Sequence, residues 1–128
     1  MHIVTKEQKT EALTWHPEKG FVQKEFNYTS DVIHGCNASF QKGGLYRAKM
    51  RFAGSKGVTH ALWLRGEEKT PHINICKCEN GEIEVGIYWS SKLETKYTST
   101  RIKGLNLSKF FIYTLIKKKK ELIWYIND

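Results

Sequence analysis

The sequence predicts an all-β fold. Runs rich in Val, Ile, Tyr, Phe, Trp and Thr recur along almost all of the 128 residues, and polar breaks separate them at the spacing of a sandwich or barrel. Gly43-Gly44, Gly54-Ser55-Lys56-Gly57 and Asn80-Gly81 punctuate these runs as turn signals. No segment sustains a helical pattern, because Gly or β-branched residues interrupt the only charged run long enough to propose one.

In chain order the predicted strands are 2–5, 11–15, 22–26, 30–34, 44–54, 58–65, 71–78, 82–89, 95–102, 110–116 and 121–127. Leu105-Asn106-Leu107-Ser108 reads as the connection before the penultimate strand. Asn80-Gly81 is the strongest local signal. A two-residue type I′ turn needs positive φ at both central residues, and Asn followed by Gly meets that at least cost. Counting outward from it sets Glu79 opposite Glu82, Cys78 opposite Ile83 and Lys77 opposite Glu84. A Lys77–Glu84 cross-strand pair is expected, worth under about 1 kcal/mol if exposed. A bulge near Cys76 would turn His72, Asn74 and Lys77 to one face; without it His72, Asn74 and Cys76 share one.

Composition bounds the function. The length fits a single domain over 1–128, and 40 % hydrophobic residues place it among globular chains. There is no apolar run of about 18 residues to span a membrane, and Met1 to Lys6 has no apolar leader segment. Cys36, Cys76 and Cys78 are too few and too unevenly spaced for a disulfide framework, and Cys76-Lys77-Cys78 lacks the second pair of a zinc site. Cys76 and Cys78 share strand parity and read as two buried thiols. No metal or other cofactor is expected. The net charge of +8 is diffuse except at Lys117-Lys118-Lys119-Lys120, which lies between apolar β runs and reads as a solvated hairpin tip. Neither an RNA-recognition aromatic motif nor a helix-turn-helix pattern is present, so nucleic acid is not the expected partner.

Pro71-His72-Ile73-Asn74-Ile75-Cys76-Lys77 resembles the active-site strand of the family-16 glycoside hydrolases, the laminarinase, lichenase and agarase group, which reads Glu-x-Asp-x-x-Glu. The likeness continues in order along the chain. Glu25 to Ile33 resembles the family's Tyr-Thr-Ser-Gly-x-Ile segment, and Phe40 to Phe52 its Glu-Ala-Lys-Ile-Arg strand. Gly57 to Leu64 is similar to Gly-x-Trp-Pro-Ala-Phe-Trp-Leu; Phe111 to Leu115 and Ile123 to Asn127 resemble its Tyr-x-Tyr-x-x-Glu-Trp and Ile-x-Trp-Tyr-Val-Asp-Gly strands. The resemblance implies a concanavalin A-like jelly roll of two antiparallel sheets with a glycan cleft on the concave one. It implies a polysaccharide or oligosaccharide partner, such as a β-glucan, and a secreted, periplasmic or cell-surface location. Family members continue for several strands beyond this length, so the jelly roll is expected to be shortened at its C-terminus. An open sheet edge would then favour a homodimer.

The departures fall on the chemistry. His72, Asn74 and Lys77 occupy the positions of the family's nucleophile, tuning acid and acid/base, and Arg47 stands where it has Glu. A retaining glycosidase needs two carboxyl groups about 5–5.5 Å apart. Asn cannot ionise, and Lys, with a reference pKa near 10.4, is a poor acid. Catalysis is therefore not expected. A rewired hydrolase using His72, Glu82 or Glu84 is the enzymatic alternative, and a structural or oligomerising β-domain the other. Binding can persist without cleavage, because sugar C–H faces stack on aromatic rings while hydroxyls bond polar groups. The candidate ligand contacts are His72, Asn74, Trp89, Trp15, Arg47 and Glu84. Trp89 leaves the central hairpin and Trp15 reads as a loop rim. Trp63 and Trp124 sit in apolar strands and read as core, and His60 as a structural histidine. Asn27, Asn37 and Asn106 head glycosylation sequons, which matter only on a eukaryotic secretory route.

Overall fold

A computed structural model describes residues 2–16, 19–33, 43–53, 57–66, 71–91 and 94–127; of Trp15, His16 and Ser91 it describes the backbone alone. The turn expected at 54–57 is described only at Gly57, and Cys36 and Asn37 lie outside the described residues. The chain divides into two compact units, Met1–Ser39 and Phe40–Asp128. Among the described residues there is no helix, and so none long and apolar enough to cross a membrane.

The first unit is an antiparallel hairpin of β1 (Lys6–His16) and β2 (Gly20–Thr29). The strands expected at 11–15 and 22–26 lie within it. Its ladder begins at the Lys6–Thr29 pair, and a bulge sets Gln8 and Lys9 against Asn27. The strands expected at 2–5 and 30–34 are not formed: residues 2–5 and 30–33 are irregular, and 34 lies outside the described residues. Ile3-Val4 and Val32-Ile33 have the composition of strands, but they lie past the end of the ladder. A β conformation leaves backbone N–H and C=O groups unsatisfied without a neighbour, so water takes them, and all four apolar side chains are exposed.

The second unit holds two antiparallel sheets. β3 (Gly44–Met50), β8 (Phe111–Lys117) and β9 (Leu122–Ile126) form a three-stranded sheet in the order β3-β8-β9. β4 (His60–Arg65), β5 (His72–Glu79), β6 (Glu82–Ser91) and β7 (Glu94–Ile102) form a four-stranded sheet in that order. Their apolar faces share one core of Phe52, Ile73, Ile75, Cys76, Cys78, Ile83, Val85, Leu107, Tyr113 and Leu115. The arrangement is β-sandwich-like. Each of the larger buried side chains contributes on the order of 1.5–3 kcal/mol. β3 stops at Met50 instead of running to 54, because the Phe52 amide leaves the ladder for the Leu107 carbonyl at 3.0 Å and its ring enters the core.

Two hairpins of this unit, β5–β6 and β8–β9, have the tips expected of them. Asn80 and Gly81 have φ of 51° and 80°, the two positive values a type I′ turn requires. Glu79–Glu82, Cys78–Ile83 and Lys77–Glu84 face each other as counted. Cys76 and Cys78 are both buried free thiols. Lys118, Lys119 and Lys120 form an exposed tip, closed by the Lys118 amide on the Glu121 carbonyl at 2.9 Å. Lys117 remains in β8, opposite Leu122.

Candidate functional site

The site begins with one extra residue in β5. Between the pairs Asn74–Gly86 and Lys77–Glu84, β5 places Ile75 and Cys76 where β6 has Val85 alone. Against β4, the pairs Trp63–Asn74 and Leu62–Cys76 leave Ile75 as the extra residue. In a regular strand Asn74 and Lys77, three apart, would face opposite sides. The bulge cancels that, and Ile75 and Cys76 both turn into the core.

On the outer face of the four-stranded sheet His72, Asn74 and Lys77 therefore line one open groove of about 490 Å³, together with Ala61, Trp63, Tyr88 and Thr95. That volume lies within the range of small-molecule sites. Three of its lining rings, with a fourth stacked beside them, form a row that crosses all four strands. Trp63 of β4 stacks on His72 of β5 with ring centres 5.3 Å apart. His72 meets Tyr88 of β6 edge-on at 5.7 Å, and Tyr88 stacks on Tyr97 of β7 at 3.9 Å. The His72 ring also bonds the Asn74 side chain, Nε2 to Oδ1, at 3.0 Å. Because that Oδ1 can only accept, His72 carries its proton on Nε2 there. Gly86 lies opposite Asn74 in the ladder.

The charged groups beside the groove are already engaged. Lys77 Nζ bonds Glu79 Oε2 at 2.9 Å, and Thr59 donates to the other oxygen of Glu79 at 3.3 Å. The hydrogen bond it donates to Glu79 holds the Lys77 ammonium above its ordinary pKa, so it is a standing cation near neutrality and not a general acid. The expected Lys77–Glu84 ion pair is thus replaced by Lys77–Glu79. Glu84 is the register neighbour of Lys77, but its buried carboxylate accepts from the Tyr97 hydroxyl and from Arg101 Nε at 3.2 Å. Glu82 pairs with Lys103 at 3.0 Å and Arg101 at 3.8 Å. Burial first, and then the Glu84 bond, push the Tyr97 phenol up to about 12. Glu84→Ala should cost about 1–2 kcal/mol in a urea titration, because the Tyr97 hydroxyl loses its acceptor. It should also lower the Tyr97 pKa part of the way toward 10 in an ultraviolet titration, since burial remains.

The other expected contacts lie elsewhere. Trp89 shares strand parity with Ile83, Val85 and Ile87, so it projects from the opposite face to Tyr88. The cause is the bulge: an unbulged ladder counted from Asn80-Gly81 would bring Trp89 opposite His72, and the extra residue slips the register by one so that Tyr88 arrives instead. Arg47 sits on the three-stranded sheet, where its Nε donates to Thr114 Oγ1 at 3.2 Å, so it is not brought to the groove. The Trp15 backbone pairs with Phe21 in the first unit, and its side chain lies outside the described residues. His60 bonds the Ala53 carbonyl at 3.2 Å, as a structural histidine would. Tyr88 and Thr95 were not expected in the groove, nor Tyr97 stacked beside it, and Trp63 was expected in the core. Among the described residues no carboxyl group lines the groove, and no three His, Cys, Asp or Glu side chains come together as metal ligands.

No family model matches the chain, and neither a curated protein nor a solved structure is similar enough to it to inform its function.

Proposed function

We propose that this protein is a carbohydrate-binding relative of the family-16 glycoside hydrolases, with a jelly-roll fold, that holds a glycan chain without cleaving it. The observation that carries this reading is the row Trp63–His72–Tyr88 in an open groove that also presents Asn74, Lys77 and Thr95, with Tyr97 stacked on Tyr88 beside it. Flat rings receive the C–H faces of sugars, and the amide, ammonium and hydroxyl groups exchange hydrogen bonds with their hydroxyls. The open groove, lined from four adjacent strands, admits a segment of a glycan chain. The ordered resemblance of segments along the chain to the family, with His72, Asn74 and Lys77 in the acidic positions, supports the same ligand class and argues against hydrolysis. Glu82 and Glu84, the carboxylates a rewired hydrolase would use, are held by Arg101, Lys103 and Tyr97.

A glycan array carrying β-glucan, agaro-, carrageenan and uronic oligosaccharides tests this. Discrete positives are expected, and uniformly blank glycans would sink the reading. Trp63→Ala should weaken binding of the best glycan by about tenfold or more, since one lost stacking face is worth on the order of 1.4 kcal/mol.

A further inference from the structure

The groove depends on a side chain that does not line it. Trp124 of β9 belongs to the three-stranded sheet, yet its indole Nε1 donates to the backbone carbonyl of Asn74 at 3.1 Å. That bond crosses between the sheets and lands on the last regularly paired residue before the bulge. Trp124 also borders a separate apolar cavity of about 270 Å³, beside Val85, Gly86, Ile87 and Leu122. Packing therefore leaves room beside the indole, and the hydrogen bond fixes its orientation. The partner atom is a backbone oxygen, so Trp124 constrains the path of β5 rather than the identity of any groove residue.

We propose that Trp124 is the positioning residue of the groove: its N–H holds the Asn74 carbonyl and thereby the bulge that puts His72, Asn74 and Lys77 on one face. A bulge disrupts its ladder locally, and a bond from outside the sheet restrains it. Trp124 acts from behind the sheet, through the geometry of β5, and makes no contact with the ligand. The effect on glycan binding rests on the function proposed above; the effect on β5 does not.

Trp124→Phe keeps a ring in the core and removes only the donor and part of the volume. Amide hydrogen exchange on the ligand-free protein reads the first consequence. Protection at Ile75, Cys76 and Lys77 should fall at least tenfold more than at Tyr113 and Leu115, which report general loosening of the core. The His72 and Asn74 side-chain resonances should shift, while those of the Asn80-Gly81 turn stay in place. Equal loss of protection at all these sites, or none at Ile75 to Lys77, would overturn the proposal. Titration with the best array glycan reads the second consequence, an affinity loss exceeding that of Trp89→Phe. If the unmutated protein binds no glycan, the functional reading fails while the exchange result still decides the role of Trp124.

Discussion

Gly86→Ala should lower the unfolding free energy by about 3 kcal/mol and the melting temperature by on the order of 15 °C. A Cβ at Gly86 would lie 2.6 Å from the Thr98 carbonyl oxygen and 2.8 Å from Ser99 Cβ. The first of these is backbone of the adjacent strand and cannot rotate away, so β7 must separate from β6 or the sheet must flatten. Gly86 also pairs with Asn74 beside the bulge, so the same substitution presses on the strand that carries the groove residues. Thermal melting followed by circular dichroism measures the effect. A variant as stable as the parent would mean that β7 does not approach β6 this closely. Gly81→Ala is the informative contrast: nothing lies within 4 Å of its Cβ, and its cost arises only from a φ of +80°.

The second large effect is alkaline unfolding. The Cys76 thiol is fully buried, and that burial pushes its pKa from 9.0 to about 12. Tyr113 is 1 % exposed, and burial followed by the nearby Cys76 and Cys78 pushes its phenol up as well. A folded-state pKa raised above the unfolded value means that the native protein keeps a proton the unfolded chain has lost. The stability contributed is complete below the unfolded pKa and disappears as pH rises through the folded one. The slope is about 1.4 kcal/mol per pH unit for each group. Cys76 alone should remove about 4 kcal/mol between pH 9 and 12, and Tyr113 steepens the fall above about pH 10. Against the 5–15 kcal/mol typical of a small domain, unfolding is expected by about pH 11–12. Circular dichroism against pH at fixed ionic strength tests this, and a flat profile to pH 12 would contradict it. Cys76→Val, close in volume, should delay the onset.

The pattern of strands was legible because β-rich runs and turn residues agree locally. Asn80-Gly81 determined its hairpin to the residue, and the lysine tip followed from its flanks. The failures at 2–5 and 30–34 share one physical origin: Ile3-Val4 and Val32-Ile33 favour β structure, but a strand exists only where a neighbour takes its hydrogen bonds. The groove was half legible. His72, Asn74 and Lys77 on one face required a bulge that sequence allowed but did not dictate, because the side chain that fixes it, Trp124, lies about fifty positions away in the chain. The same bulge exchanged Trp89 for Tyr88. Trp63 was hidden because Ala61-Leu62-Trp63-Leu64 lacks the alternation that separates an outer face from an inner one. Glu84 was placed correctly by register, but its partners Tyr97 and Arg101 come from the next strand, which the hairpin count does not reach.

Isothermal titration of the protein with defined β-glucan, agaro- and carrageenan oligosaccharides tests the central claim most directly, with reducing ends assayed in the same cell afterwards. Saturable heat with at least one series, greatly weakened in Trp63→Ala and His72→Ala, and no release of reducing ends is the predicted result. No heat from any series, or new reducing ends that disappear in Glu84→Gln, would contradict it.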